Sequence, residues 1–283
     1  MAADNAEQIA EWNGAMGHIW AERQKEIDRI IVPFGAAAMQ AAAPKPGERV
    51  IDIGCGCGDT SVEIAQKVGP TGAVLGVDVS QPMLDVARAL AAQGRHENLE
   101  FRETDASEAD LPDAVDLLFS RFGVMFFSQP LPAFSHMRKS LRKDGRCVFV
   151  CWRTPKDNSW AMAPLAAARA AMGITPAPAD PAAPGPFAFA DADRVRALLG
   201  DAGFADIDLQ RFDSQVDVGA SPRLAAERAM HIGPVSRLVR EMGEAKAPAI
   251  LDAMERAFAS LAMPDGKILL DGSTWIVSAR NPR

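Results

Sequence analysis

Along residues 9–31 the apolar positions Ile9, Trp12, Met16, Ile19, Trp20, Ile27, Ile30 and Ile31 fall mostly three, four or seven residues apart. That spacing predicts one amphipathic helix or two, ended by Pro33, whose ring leaves no backbone N–H to donate. A loop with Pro44, Pro46 and Gly47 follows. Beyond it, short apolar runs alternate with helix-length segments. Residues 49–53, 73–78, 99–103, 115–120 and 147–152 read as strands, and 59–68, 81–92 and 131–141 as helices. Ser80 is placed to cap the helix at 81, with Pro82 in its first turn. Strands separated by helices mean βαβ units, so the fold class is α/β, a doubly wound and mostly parallel sheet.

After Trp152 the alternation breaks. Five prolines between 175 and 186 (Pro176, Pro178, Pro181, Pro184 and Pro186) require a loop. Residues 191–199 then read as a helix, 207–212 as a strand, 222–262 as two or three helices and 275–279 as a closing strand. The predicted organisation is an N-terminal helical arm over 1–40, an α/β domain over 41–216 and 267–283, and a helical insertion over 217–266 that caps the substrate.

The 283 residues are 48% hydrophobic and 24% charged, enough for a full core. A net charge of −7 repels a phosphate backbone, so no nucleic-acid partner is expected. The basic cluster Arg138, Lys139, Arg142 and Lys143 reads as the solvated end of a helix. No apolar stretch is long enough to span a bilayer, and the acidic first residues lack the layout of a signal peptide. Cys55, Cys57, Cys147 and Cys151 form neither a disulfide framework nor a zinc set, so a cytoplasmic location and no metal are expected.

The most informative stretch is Asp52-Ile53-Gly54-Cys55-Gly56-Cys57-Gly58. A strand runs into three alternating glycines and then a helix, at the position where doubly wound sheets bind nucleotides. A dinucleotide fingerprint is G-x-G-x-x-G, with a helix N-terminus aimed at pyrophosphate. Here the third glycine comes one residue early and Asp52 stands two residues before the first. An acid there repels pyrophosphate and suits a cationic ligand. S-adenosylmethionine, with a sulfonium, an α-amino group and no phosphate, fits. Asp78 ends the second strand, where a carboxylate can accept from both hydroxyls of an unphosphorylated ribose. Asp105 follows the third, placed to accept from an adenine amine.

These motifs, with Gly76-Val77-Asp78-Val79-Ser80, Thr104-Asp105-Ala106 and Leu141-Arg142-Lys143-Asp144-Gly145-Arg146, resemble those of class I S-adenosylmethionine-dependent methyltransferases. The likeness is to the broad group that includes the ubiquinone/menaquinone C-methyltransferases, and it covers residues 45–152. Asp144 stands where that family usually has proline. The resemblance implies a Rossmann-like methyltransferase fold and a small-molecule methyl acceptor. It implies that Asp52 and Gly54 face the methionine part, that Gly56 and Gly58 shape the loop, and that Asp78 binds ribose. It further implies that Asp105 and the Ala106 backbone bind adenine, that Met83 covers it, and that Ser120 offers its carbonyl to the amine. Cys55, Thr60 and Val79 complete the expected cofactor contacts.

Two readings stand for the run 121–127 after the fourth strand: a substrate wall anchored by Arg121, or core packing with a structural ion pair. Under the first, Arg121 is catalytic, and Phe122, Met125 and Trp152 touch substrate with Trp12 and Trp20 of the arm. His18 on that arm is the candidate general base. The expected reaction is in-line methyl transfer to a small apolar or aromatic molecule, driven mainly by proximity and orientation. The alternatives are an NAD-dependent oxidoreductase and a cofactor-binding module without catalysis.

Overall fold

Three helices precede the sheet in this computed structural model, which describes residues 5–175 and 180–283. They are α1 (Ala6–Asn13), α2 (Ala15–Glu22) and α3 (Gln24–Ala42). The expected stop at Pro33 is overturned, because α3 runs on through it to Ala42. Phe34, Ala38, Met39 and Ala42 are all buried on that continuation. Their burial outweighs the missing hydrogen bond of the proline.

The α/β core then follows as β1 (Arg49–Ile53), α4 (Asp59–Val68), β2 (Ala73–Asp78), α5 (Gln81–Gly94), β3 (Leu99–Glu103), β4 (Val115–Arg121), α6 (Pro130–Met137) and β5 (Leu141–Trp152). The helix expected over 131–141 stops early, and Arg142 and Lys143 sit at the start of β5 instead of on a helix end. Arg142 pairs with Asp116 at 2.6 Å. Next come α7 (Ser159–Ala171), α8 (Ala192–Asp201) and the long β6 (Ala205–Gly219). The chain ends with α9 (Pro222–Ala229), α10 (Pro234–Met242), α11 (Ala247–Ala259) and β7 (Ile268–Arg280). Of the proline loop, Pro176 and Pro178 lie outside the described residues, as do Met1–Asp4 of the acidic N-terminus; Pro181, Pro184 and Pro186 fall in turns.

The strand order is β3-β2-β1-β4-β5-β7-β6. The first five strands pair in parallel, and β7 runs antiparallel between β5 and β6. This is the doubly wound, mostly parallel sheet expected from the sequence. Its strand order reverses between β1 and β4, the switch point where a crevice opens beyond the carboxyl ends of the strands. The two loops leaving these strands touch. A Cβ on Gly54, whose φ is +64°, would lie 2.8 Å from the Gly123 Cα. Only glycine permits that approach.

Helix α3 is bolted to the sheet by Phe34, which is fully buried. Its ring meets Trp152 at 5.0 Å, Phe212 at 5.9 Å and Phe122 at 6.2 Å, all edge-on. At the other end of the helix, Arg146 of β5 donates to the Ala42 carbonyl and forks onto Glu48 at 2.9 and 2.7 Å. Replacement Phe34→Ala is expected to cost about 3–5 kcal/mol in denaturant unfolding, the usual cost of emptying a large buried aromatic site. A loss below about 1 kcal/mol would show that α3 is not anchored there.

Candidate active site

A single cleft lies over the switch point, bounded below by the glycine loop and above by the arm. Gly54, Cys55, Gly56, Thr60, Asp78 and Val79 line it, with Met83, Asp105 and Ala106 along the β2–β3 side. At the β4–β5 side the wall is Arg121, Phe122, Met125 and Trp152. Trp12 and Trp20 enter from α1 and α2. The structure therefore brings fifteen of the predicted site residues around one space.

The carboxylates are held by donors that fix their positions. Asp78 accepts the Gly56 N–H at 2.8 Å and the Ser80 N–H at 2.9 Å. Burial pushes its pKa up, and these N–H groups, with that of Val79, oppose the shift. Ser80 stands at the start of α5 but does not cap it; its hydroxyl donates to the Trp12 carbonyl at 2.7 Å. Asp105 accepts the Ser107 N–H at 2.8 Å and the side-chain amide of Asn5 at 2.9 Å. The Asn5 oxygen in turn accepts the Ser128 N–H at 2.9 Å. A residue of the arm thus occupies the acid that the sequence assigned to a ligand amine.

Asp52 is fully buried beneath the loop and does not line the cleft. Its Oδ2 accepts from Thr60 at 2.7 Å and Ser61 at 2.6 Å, while Oδ1 has no partner among the described residues. Burial lifts its pKa to about 6 against the pull of both hydroxyls. Gly58 also lies off the cleft; with φ +88°, it has Ala87 and Phe101 within 2.8 Å of where a Cβ would be. Its work is to pack the loop on α5 and β3. Ser120 is buried, donating to the Ile53 carbonyl at 2.7 Å and accepting the Gly123 N–H at 3.2 Å. It ties the two touching loops together.

His18 is not a base of this site. It is exposed and absent from the cleft lining. Two residues from Trp20 on α2, it points to the opposite side of the helix, since two residues turn about 200°. The carboxyl that does reach the cleft is Asp28 of α3, which the sequence reading missed. Arg121 reaches it across 2.7 Å, an approach left open by Gly35, where a Cβ would meet the Arg121 Cδ at 2.8 Å. The two readings of residues 121–127 thus meet in one residue, because Arg121 is ion-paired and also lines the cleft.

The aromatic end is a stack. Phe122 and Trp152 lie face to face at 4.4 Å, and Trp160 of α7 tilts against Trp152 at 4.8 Å. Trp12 meets Trp20 and Phe126 edge-on. From the insertion come Ile232 and Gly233. The arm and the insertion meet outside the cleft through Glu11–Arg240 at 3.0 Å and the Glu26–Arg228 ion pair.

The lining carries three carboxyl groups, Asp28, Asp78 and Asp105, against one guanidinium, Arg121. Pyrophosphate would enter against that charge, whereas a cationic ligand without phosphate is favoured. Trp20 lines the cleft, and its buried, unpartnered Nε1 is a donor that a ligand there would satisfy. At Gly56, with φ +56°, a Cβ would meet only the Met83 sulfur at 3.9 Å, so the loop backbone lies bare toward the cleft. The donor and acceptor set fits an adenosyl group bearing a positive charge.

Comparison with known proteins agrees with this geometry. Residues 44–171 match the profile of a family described as a methyltransferase domain. Over 122 residues the chain is 32% identical to the aklanonic acid methyltransferase of Streptomyces sp. (strain C5), covering 43% of this chain and 56% of the relative. Over 119 residues it is 32% identical to the ubiquinone/menaquinone biosynthesis C-methyltransferase of Ectopseudomonas mendocina, covering 41% and 46%. The chain spans about half the length of the curated relatives it matches. In fold it resembles the Haemonchus contortus phosphoethanolamine N-methyltransferase 2 solved with S-adenosyl-L-methionine, with a TM-score of 0.59 at 16% identity, covering 99% of this chain and 60% of that one.

Proposed function

We propose that the protein uses S-adenosylmethionine to methylate a small, apolar or aromatic molecule. The observation that carries this reading is Asp78, exposed to the cleft at the end of β2 and locked by the Gly56 and Ser80 N–H groups. A carboxylate so held keeps lone pairs for two vicinal hydroxyls. The names of the relatives, all methyltransferases, support the same chemistry.

When bound, the cofactor supplies an activated methyl group on a positive sulfur. The residues of this chain then bind, orient and exclude water. Asp78 would hold the ribose, and Met83, Val79 and Ala106 would hold the base. Asp105 takes the adenine amine once Asn5 has left it, so loading requires the start of α1 to shift. Gly54, Cys55, Gly56 and Thr60 follow the methionine part. The stack of Phe122 and Trp152, with Met125, Trp12 and Trp20, shapes an acceptor site that is flat and apolar. Orientation in such a dry space lowers the barrier by several kcal/mol without a metal or a triad. Of the arm over 1–40, helices α1 and α2 serve as a lid, α3 being fixed to the sheet by Phe34, and the insertion over 217–266 serves as the substrate cap, with specificity carried by these additions to a common scaffold.

No helix among the described residues is long and apolar enough to cross a membrane. A cytoplasmic setting is part of this reading, supported by the free thiols at Cys55, Cys57, Cys147 and Cys151. The oxidoreductase alternative finds no support, because the lining charge opposes pyrophosphate.

Three measurements check the proposal. Calorimetry is expected to detect S-adenosylhomocysteine binding to the folded protein and none of NADH; the reverse would overturn it. Asp78→Asn is expected to weaken S-adenosylhomocysteine by about tenfold to a hundredfold, as loss of charge-assisted hydrogen bonds does, with the thermal transition little changed. Unchanged affinity would remove Asp78 from the site. Mass spectrometry of a cell extract incubated with deuterated-methyl cofactor is expected to reveal a labelled small molecule. Cofactor binding without any labelled product would favour a binding module.

A further inference from the structure

We propose that Asp28 is the proton acceptor of this site, taking the proton that the methyl acceptor gives up; the inference rests on the methyltransferase reading above. It begins from a process of elimination over the lining. Among the described residues no histidine, lysine or glutamate lines the cleft, and the chain contains no tyrosine. The thiols of Cys55 and Cys57 also line it, but burial raises both, Cys57 to about 12, so neither is a thiolate at neutral pH. Asp78 and Asp105 are each held by a backbone N–H, and Asp105 also by the Asn5 amide. Asp28 alone among the lining carboxyl groups is paired with a guanidinium, that of Arg121 at 2.7 Å, and also faces a second acid.

That second acid is Asp59, at the first residue of α4, immediately after the glycine loop. Asp28 donates to it, and Gln24 donates to the Asp59 Oδ2 at 2.8 Å. Burial first, and then the hydrogen bond to Asp59, pushes Asp28 up to about 7 against the attraction of Arg121. Asp59 is lowered in turn: burial raises it, but the donors from Asp28 and Gln24 outweigh that. The charged or titratable groups facing Asp28 are thus Arg121 from β4, Asp59 from α4 and Cys57 from the loop. A base with a pKa near the working pH is the efficient one, and pairs of acids pushed apart in this way are where such bases are found.

The balance of the step is simple. As the sulfur–methyl bond breaks and the acceptor–methyl bond forms, the acceptor's O–H, N–H or C–H proton passes to the Asp28 carboxylate. One sulfonium and one carboxylate become a neutral thioether and a neutral carboxyl. For this to occur, Asp28 must be ionised in the loaded protein, and a positive charge entering the cleft favours that form. The apolar wall of Ile27, Ile30, Ile31 and the Phe122–Trp152 stack beside it suits an acceptor whose nucleophile is weakly acidic, such as a phenol or an enol.

The test counts protons as well as product. S-adenosylmethionine is titrated into wild type, Asp28→Asn and Asp28→Glu at about pH 6.5, in two buffers of unlike ionisation heat. Wild type is expected to release most of one proton on binding and Asp28→Asn none, while S-adenosylhomocysteine, lacking the charge, releases less. With the acceptor identified from the labelled product, wild-type kcat/KM for the cofactor, which reports the free protein, is expected to rise with pH toward a plateau above about 7. Asp28→Asn is expected to lower kcat by about 10²–10⁴-fold with little change in S-adenosylhomocysteine affinity and to lose the rising limb, and Asp28→Glu to restore part of both. Cofactor binding without proton release in wild type, or an unaltered limb in Asp28→Asn, overturns the assignment. Failure of either cofactor form to bind wild type would instead overturn the methyltransferase reading on which it rests.

Discussion

Four acids are drawn out of water at the ligand end of this sheet, and the structure depends on how each is compensated. Asp78 is held by two backbone N–H groups, one of them from the glycine loop itself. Asp52 is met by two hydroxyls of α4, Asp28 by Arg121, and Asp59 by Gln24 and Asp28. Burying a carboxylate without such partners is unfavourable enough that the group would neutralise. The loop is held in shape by its Gly56 N–H on Asp78, and the other three acids remain through side-chain donors from α3, α4 and β4.

The aromatic cluster on α3 carries that constraint outward. Phe34 packs on Phe122, Trp152 and Phe212, so the helix that delivers Asp28 is fixed to the strands that deliver Arg121 and Trp152. A rigid helix under a polar site holds its carboxyl in position better than a loop would. The arm is attached differently. Asn13 donates to the Val79 carbonyl at 2.6 Å and accepts the Gln81 N–H at 3.0 Å, and Glu11 pairs with Arg240 across half-exposed side chains. These are contacts that water can replace, which suits the lid role proposed for α1 and α2.

Much of this was legible in the chain itself. The central strands, the glycine loop and Asp78 and Asp105 lie within short segments whose patterns are local, and the parallel sheet followed from their alternation. Where tertiary packing outweighs local preference, the reading failed. Pro33 does not end α3, because the buried residues beyond it stabilise the helix more than the proline weakens it. Helix α7 was missed: its alanine-rich run around Pro164 shows little contrast between faces, yet it brings Trp160 to the cleft. His18 was chosen by residue type, and its place two residues from Trp20 on α2 turns it to solvent. Asp28, Asn5, Ile232 and Gly233 reach the site only through folding of distant segments, and no spacing rule joins them.

The central claim is that this cleft receives a positively charged adenosyl ligand without phosphate. A crystal structure of the protein grown with S-adenosylhomocysteine, whose adenosyl group is the same, tests it most directly. The account predicts ribose hydroxyls on the Asp78 carboxylate, the adenine beside Met83 and Ala106, and Asn5 displaced from Asp105. A cleft left as it stands, with Asn5 still on Asp105 and the ligand elsewhere, would contradict it.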